Sequence, residues 1–298
     1  MKEVQGRVTT SVPLFTYQWL PDSQPKAVVY LIHGMMEHAQ RYRHFAHFLS
    51  QNGIAVVAFD QRGAGQTAQH TGLGHLDLGW DSLLSDIHAV YQHHHFPTCP
   101  HFILGHSMGS FLAQDYCIRH CITPCGLILS GSAYLSPALT QLGKWLAAAL
   151  KWLSPSPTPS SLLSRLSFLG YNRRVDNPKT PFDWLSRDLE QVAAYCADPF
   201  CGQGCSPSFY HALYTGLNRL YKVRYLKQLP NTTPLLILGG QEDPLSDYGR
   251  LLQTLVNAYH GYPVTHILYD GARHEILNEL NQETVYHDIL SWINSKLY

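Results

Sequence analysis

The chain has 298 residues, of which 45% are hydrophobic, and its formal net charge at pH 7 is zero. A chain of this length can bury one large core, and its balanced charge predicts no attraction to the phosphates of nucleic acids. No segment reaches the roughly 18 consecutive apolar residues of a membrane span, and the first residues lack the apolar stretch of a signal peptide.

The cysteine content predicts a reducing, cytoplasmic location. Seven cysteines are an odd number, so a complete set of disulfides would leave one thiol over. Cys117 and Cys121 flank His120, and a second group of cysteines at 196, 201 and 205 lies close together in the sequence. Neither group has the paired C-x-x-C spacing of a structural zinc site, so we expect no bound metal.

Strand and helix patterns alternate along most of the chain. Residues 1–20 favour one or two antiparallel edge strands. The later strands are predicted at 27–32, 54–59, 101–105, 126–131, 234–239 and 264–269, and the helices at about 40–51, 82–94, 107–120, 246–259 and 281–296. This alternation predicts an α/β fold with a mostly parallel central sheet and helices on both faces.

The loop after strand 27–32 is a candidate half of an oxyanion hole. Gly34 lets the backbone approach a bound group closely, and the amide of Met35 is then the natural donor to a negatively charged oxygen. An ordinary glycine-containing turn between a strand and a helix is the alternative interpretation.

The segment 105–109, with the sequence Gly-His-Ser-Met-Gly, is the strongest functional signal. It lies between the apolar run 102–104 and a helical pattern, which is the setting in which G-x-S-x-G forms a nucleophile elbow. Glycines on both sides of Ser107 avoid a clash as the strand turns sharply into the helix. The pattern therefore predicts Ser107 as a nucleophile, with the Met108 amide as the second oxyanion donor.

About a hundred residues separate strand 126–131 from strand 234–239, which is far more than an ordinary crossover needs. We therefore expect residues 133–229 to form a helical lid, inserted into a core made of residues 1–132 and 230–298. A proline-rich stretch at 154–160 is expected to be a stiff connector within the lid.

The lid contains an unusually apolar helical segment at 139–153. One interpretation is that this helix packs the small core of the lid itself. In the other, its side chains also line an acyl tunnel or contact a lipid surface. The candidate substrate-binding residues are Trp145, Leu146, Leu150 and Trp152.

Charged residues in the lid are few and scattered. Arg173 and Arg174 are interpreted as a solvated pair, with contact to a phosphate head group as the alternative. Asp183 and Asp188 flank Trp184 and Arg187, and we expect them to form hydrogen bonds within the lid. No cluster of acidic residues suggests a pocket for a substrate ammonium group.

An acid and a histidine follow the last two strands. Glu242, Asp243 and Asp247 lie just beyond strand 234–239, and Asp243 is favoured because the following proline restricts the local backbone. His274 lies in a glycine-led turn after strand 264–269. The order serine, acid, histidine is that of the hydrolases with a nucleophile elbow, so Ser107, Asp243 and His274 are predicted as a catalytic triad.

Five motifs are spread along the chain: His33-Gly-x-x-Glu37-His38, Asp60-x-Arg62-Gly63-x-Gly65, Gly105-His-Ser-Met-Gly109, Glu242-Asp243-Pro244 and Gly271-Ala-Arg-His274-Glu275. Through these motifs the chain resembles the α/β-hydrolase family of monoacylglycerol lipases and the bacterial lysophospholipase-like proteins, some of which are classed as serine aminopeptidases. The resemblance implies the same triad and the Met35 and Met108 amides as the oxyanion hole.

The predicted function is a serine carboxylester hydrolase that acts on lipid-like esters such as monoacylglycerols or lysophospholipids. A small-ester esterase and an aminopeptidase-type serine peptidase are the alternatives. The chemistry requires neither cofactor nor metal. The expected partner is a small lipid-like ester, with transient contact of the lid to a membrane surface, and the sequence leaves the oligomeric state open.

Overall fold

The computed structural model describes residues 1–153 and 157–297. Its strands are β1 (Lys2–Thr9), β2 (Pro13–Leu20), β3 (Ala27–Ile32), β4 (Ile54–Phe59), β5 (His101–His106), β6 (Gly126–Ser130), β7 (Leu235–Gly240) and β8 (Val264–Tyr269). Its α-helices are α1 (Arg43–Gln51), α2 (Ala68–Thr71), α3 (Trp80–His93), α4 (Met108–Arg119), α5 (Pro137–Leu153), α6 (Ser161–Ser167), α7 (Leu189–Ala197), α8 (Pro207–Leu220), α9 (Val223–Leu226), α10 (Arg250–Ala258) and α11 (Gln282–Asn294). Short 3-10 segments cover Ala39–Tyr42, Gly65–Thr67, Tyr171–Arg174, Asp183–Leu185 and Ile276–Asn278. Residues 154–156 of the predicted connector and residue 298 of the predicted core lie outside the described residues.

The eight strands form one sheet in the order β1-β2-β4-β3-β5-β6-β7-β8. β1 and β2 pair antiparallel at one edge, and all pairs from β4 through β8 are parallel. This confirms the predicted α/β fold with an antiparallel edge. Parallel register brings the carboxyl ends of β3, β5, β7 and β8 to the same side of the sheet, where the candidate site residues follow them.

The central strands are buried on both faces, which explains their uninterrupted apolar sequences. In β3, Val28, Tyr30 and Ile32 join the core on one face of the sheet, whereas Val29 and Leu31 join the core on the other. Helices cover each face, so the sheet is held rigidly between two apolar layers.

Helix α10 begins at Arg250, four residues later than the predicted start at 246. Asp247, Tyr248 and Gly249 have φ values of 48°, 58° and 87°, which lie in the left-handed region and cannot continue a right-handed helix. The Ser246 hydroxyl accepts a hydrogen bond from the Gly249 amide at 2.9 Å and stabilises this turn.

The long segment between β6 and β7 contains α5 to α9. α5 packs against α8, and α8 also packs against α3 and α4 of the sheet layers. Gly216 of α8 lies directly against the Trp80 ring, where a Cβ would come within 2.2 Å of the indole. No helix within the described parts of the chain is long and apolar enough to cross a membrane.

Candidate active site

Ser107 occupies a strained turn between β5 and α4. Its φ of 51° and ψ of −120° are unusual for a residue with a side chain, and its amide donates to the Ser130 carbonyl at 2.9 Å. A Cβ on Gly105 would lie 2.2 Å from the Gly109 carbonyl oxygen, and one on Gly109 would lie 2.1 Å from the Ile32 oxygen. Both glycines are therefore required by close backbone contacts, as the motif predicts.

Asp243 and His274 are hydrogen-bonded to each other. The His274 Nδ1 and Asp243 Oδ2 atoms are 2.9 Å apart, and both side chains are buried. The Leu245 amide donates to Asp243 Oδ1 at 2.9 Å and fixes the other oxygen of the carboxylate. The competing acids lie elsewhere, since Glu242 is half exposed and Asp247 pairs with Arg250 at the surface.

Histidines near Ser107 differ sharply in basicity. Burial lowers the pKa of His274, but the Asp243 carboxylate outweighs this effect and raises the pKa above its ordinary value of 6.5. Burial lowers the pKa of His33 to about 4 and that of His106 to about 3. At neutral pH His33 and His106 are therefore uncharged, and His274 is the histidine of this group that is poised to take up a proton.

The loop after β3 comes very close to the serine. A Cβ on Gly34 would lie 3.2 Å from the Ser107 Cβ, and the Gly34 amide donates to Glu37 Oε1 at 2.5 Å. Met35 and Met108 line the same cavity as Ser107 and His274. The structure therefore brings Met35 and Met108 to the cavity that holds Ser107, and the Gly34 amide is already engaged by Glu37.

A buried ionic network beneath this loop was not predicted from the sequence. Arg41 donates to Glu37 Oε2 at 2.9 Å and to both oxygens of Glu275 at 2.5 and 2.6 Å. Burial alone would raise the pKa of Glu275, but the Arg41 guanidinium lowers it to about 2. Glu37 and Glu275 belong to the motifs that carry the family resemblance, which was the available signal for them.

The network also joins the loop to the segment between β6 and β7. The Arg41 guanidinium lies 4.7 Å from the centre of the Tyr195 ring, and the Tyr195 hydroxyl donates to the Met36 carbonyl at 2.9 Å. His38 and Asp198 are hydrogen-bonded at 2.8 Å. The loop that carries Met35 is thus fixed from both sides.

An apolar cavity of about 390 Å³ opens onto Ser107 and His274. Its walls come mostly from α4, α5, α6 and α8, and from residues 168–184. The apolar lining residues include Phe111, Leu135, Leu139, Leu142, Leu146, Leu163, Leu166, Phe168, Trp184, Leu213, Leu217 and Leu245. A cavity of this size and character fits an aliphatic chain.

Of the four predicted substrate-binding residues of α5, Leu146 lines this cavity. Trp145 and Trp152 point outward and are 64% and 82% exposed, and Leu150 packs against the main core. Trp145, Leu150 and Trp152 therefore do not line the cavity, contrary to the interpretation that they do. Sequence reasoning instead missed Leu139, Leu142 and Gly143 on the same helix.

Hydrogen bonds around Arg187 also differ from the prediction. Asp183 and Asp188 do bond within the inserted segment, since Asp183 accepts from Thr180 and the Lys179 amide, and Asp188 caps α7. Arg187 instead donates to the buried Glu279 at 2.9 Å, after β8. This contact joins the segment between β6 and β7 to the turn after β8, so it is not internal to that segment.

All seven cysteines are free thiols. Among the described residues one group has the ligand types and spacing for a metal ion, with atoms of His38, Asp198 and Cys201 within 4.8 Å of one another. Burial raises the pKa of the Cys201 thiol, and the neighbouring Arg41 cation would repel a metal ion. The His38–Asp198 hydrogen bond is therefore understood as a structural contact.

Comparisons with known proteins find relatives over nearly the whole chain. A family model described as Serine aminopeptidase, S33, matches residues 23–281. The Monoacylglycerol lipase of Mycolicibacterium smegmatis is 32% identical, over 94% of this chain and 92% of that protein, and the Monoglyceride lipase of Mus musculus is 28% identical, over 95% and 88%. Among solved structures, a thermostable carboxyl esterase from Bacillus coagulans in complex with glycerol is 26% identical, covers 100% of both chains and has a TM-score of 0.91.

Proposed function

We propose that this chain, which belongs to the family described as Serine aminopeptidase, S33, hydrolyses lipid-like esters such as monoacylglycerols or lysophospholipids. Its similarity to monoacylglycerol lipases over nearly its whole length identifies a carboxylic ester hydrolase. One observation carries the proposal: the apolar cavity opens directly onto Ser107 and the Asp243–His274 pair.

The proposed mechanism is acyl transfer to serine and then to water. His274 takes the proton from the Ser107 hydroxyl as the oxygen attacks the ester carbonyl, while Asp243 holds the imidazole in the required tautomer. The Met35 and Met108 amides stabilise the oxyanion. His274 then protonates the leaving alcohol, and later activates the water molecule that releases the fatty acid.

The lid would supply both the acyl site and contact with a lipid surface. We propose residues 133–229 as this lid and residues 1–132 and 230–298 as the core. Large apolar side chains of α5 and α6 are exposed around the cavity, and clusters of this kind are typical of lipid or membrane contact. They include Leu139, Leu142, Trp145, Trp152, Leu162 and Leu166.

An aminopeptidase would need an acidic pocket for the substrate ammonium. Glu37 and Glu275 lie beside the triad, in a small cavity with Ser107 and His274. Both carboxylates are engaged by Arg41, so they offer little attraction to a second cation. Ester hydrolysis is therefore favoured over cleavage of an N-terminal residue.

Hydrolysis of p-nitrophenyl esters from C2 to C16, with 1-monoacylglycerol in parallel, tests the proposal. Wild-type turnover should increase toward medium or long chains. The Ser107→Ala variant should lose about a millionfold in kcat, as in other serine triads. Turnover confined to C2–C4 esters would favour the small-ester alternative, and substantial turnover by Ser107→Ala would refute the triad.

A further inference from the structure

A second, polar cavity of about 180 Å³ lies near the triad, between the insertion and the core. We call it the arginine cavity, because three guanidinium groups line it. Its main lining residues are Tyr171, Arg174, Arg187, Glu242, Tyr248 and Arg273. Among these residues Glu242 supplies the single carboxylate. The Glu279 and Asp183 carboxylates lie behind the lining and offset the charges of Arg187 and Arg273, so the weakly paired Arg174 is the cation most open to a new anionic partner.

The three arginines differ in how they are held. Arg273 Nη1 donates to the backbone carbonyls of Asp183 and Ser186 at 2.7 and 2.9 Å, and the nearby Asp183 carboxylate offsets part of its charge. Arg187 is paired with Glu279 through Nε. Its Nη1 atom points along the cavity wall, where a Cβ on Gly271 would lie 2.8 Å away.

Arg174 forms the outer wall and is the most adaptable of the three. Its guanidinium lies 3.4 Å from the centre of the Tyr248 ring, and its Nη1 atom is 3.9 Å from Glu242 Oε2. Both partners of this weak pair are about half exposed. An anion could therefore replace Glu242 as the partner of Arg174 at little cost.

The arginine cavity adjoins the apolar cavity that opens onto Ser107 and His274. Tyr171 lines both of them, and its ring packs edge-on against Trp184, which in turn lies 5.0 Å from the His274 ring between centroids. Arg273 also immediately precedes His274 in the chain. The arginine cavity is therefore linked to His274 through the contacts of the Tyr171 and Trp184 rings.

We propose that the arginine cavity binds the phosphate of an ester substrate whose alcohol carries a phosphate group, that is, a lysophospholipid. The inference rests on the proposed ester hydrolysis and selects between its two lipid classes. Planar guanidinium groups bind phosphate oxygens in pairs, and the volume suffices for a phosphate group. Of the pair Arg173 and Arg174, only Arg174 lines the cavity, so the proposed phosphate contact concerns Arg174.

The test compares two substrates with the same acyl chain, 1-oleoylglycerol and 1-oleoylglycerol 3-phosphate, in neutral detergent micelles. The measured quantity is the ratio of kcat/KM for the phosphate ester to that for the neutral ester. Arg174→Gln should lower this ratio about five- to tenfold, since it removes one charge-assisted contact. Glu242→Gln should raise it about two- to fivefold, because it removes the competing carboxylate.

Arg173→Gln is the matched control, since it removes an equal charge one residue away and should leave both kcat/KM values unchanged. High salt should reduce the ratio for the wild type but much less for Arg174→Gln. Inorganic phosphate should inhibit hydrolysis of the phosphate ester competitively, and this inhibition should weaken in Arg174→Gln.

Several results would overturn the inference. If Arg173→Gln and Arg174→Gln changed the ratio equally, only the general surface charge would matter. If inorganic phosphate changed the hydrolysis of both substrates equally, the cavity would bind a free anion and not the substrate. Failure of the wild type to hydrolyse either ester would refute the proposed function itself, whereas normal hydrolysis with an unchanged ratio in Arg174→Gln and Glu242→Gln would refute only the phosphate subsite.

Discussion

At the scale of single residues, the backbone around Ser107 leaves no room for additional atoms. Gly34 faces both the serine and Glu37, and a Cβ there would lie 2.6 Å from Glu37 Oε1. The Glu37 carboxylate cannot move away easily, because it also accepts hydrogen bonds from Arg41 and the Tyr42 hydroxyl. The added methyl group must therefore displace the loop that carries the Met35 amide.

Gly34→Ala should consequently lower kcat about 10²- to 10³-fold, which is the usual effect of losing one oxyanion donor. KM should change much less, since the acyl cavity is untouched. Steady-state kinetics on a p-nitrophenyl ester measures both values. Gly6→Ala is the control, because a Cβ there lies 3.4 Å from Thr16 Oγ1 in an edge strand. A fully active Gly34→Ala variant would contradict the assignment of Met35.

The basicity of His274 makes a second prediction at this scale. His274 acts as a base only when it is neutral, and the Asp243 carboxylate raises its pKa above 6.5. The kcat/KM of the wild type should therefore fall with decreasing pH through an apparent pKa above 6.5. In Asp243→Asn the rate should drop about 10⁴-fold and the acidic limb should move to lower pH. A wild-type limb at or below pH 6.5 would disagree with the Asp243–His274 pair.

At the scale of elements, helix α5 has one face toward the cavity and another toward solvent. Leu146 lies on the cavity face, and its neighbour Trp145 lies on the solvent face. The chain-length preference should therefore respond to position 146 and not to position 145. This is the distinction that the apolar sequence of the helix could not make.

Leu146→Trp should fill part of the cavity and shift the preferred acyl chain toward shorter esters by several carbons. Each methylene excluded from the cavity costs about 0.8 kcal/mol of transfer free energy, or roughly fourfold in kcat/KM. The C2 to C16 ester series measures the shift, with Trp145→Ala as the matched variant. Equal shifts in both variants would mean that the solvent-facing side of α5 also contacts monomeric substrate.

The insertion and the core are also joined by a buried acid. Glu279 is fully buried and accepts hydrogen bonds from the amides of Arg187 and Arg273 at 2.8 and 3.0 Å. One carboxylate thus holds a loop of the insertion and the turn that leads into His274. The position of His274 is therefore coupled to the packing of the insertion against the core.

At the scale of the whole molecule, buried neutral histidines predict sensitivity to acid. Burial holds the pKa of His33 at about 4 and that of His106 at about 3, below the ordinary value near 6.5. At pH values between these lowered pKa values and 6.5, the unfolded chain binds more protons than the folded chain. The free energy of unfolding therefore decreases as pH falls from about 6.5 toward 4. His274 has the opposite effect on stability, because its raised pKa means that the folded chain binds a proton there more readily than the unfolded chain.

The free energy of unfolding should fall by up to about 1.4 kcal/mol per pH unit for each such histidine. Urea denaturation at a series of pH values measures this slope. His106→Asn should reduce this slope by up to about 1.4 kcal/mol per pH unit, and replacement of the exposed His44 by asparagine serves as the surface control. A stability that stays constant from pH 6.5 to 5 would show that these histidines are not neutral in the folded state.

Much of the fold and of the candidate site could be predicted from local sequence. The central strands are continuous apolar runs bounded by turn residues, and a strand buried on both faces requires such a run. The elbow follows from Gly105 and Gly109, because a Cβ at either position would have no space beside the neighbouring backbone. Asp243 and His274 could be assigned from chain order, because parallel strands bring the turns that follow them to one sheet edge.

Contacts between distant segments could not be predicted in this way. Arg41 and Glu275 are 234 residues apart, and nothing in either local pattern indicates their pairing. The cavity-facing side of α5 was equally undetermined, because a helix that is apolar on several faces has no preferred side until it packs against α8. The sequence by itself therefore determined the order of elements and the candidates for the reacting residues, through local backbone and burial requirements. The tertiary structure alone decided which side chains line the apolar cavity and which three arginines come together. Those positions depend on how the insertion packs against the core.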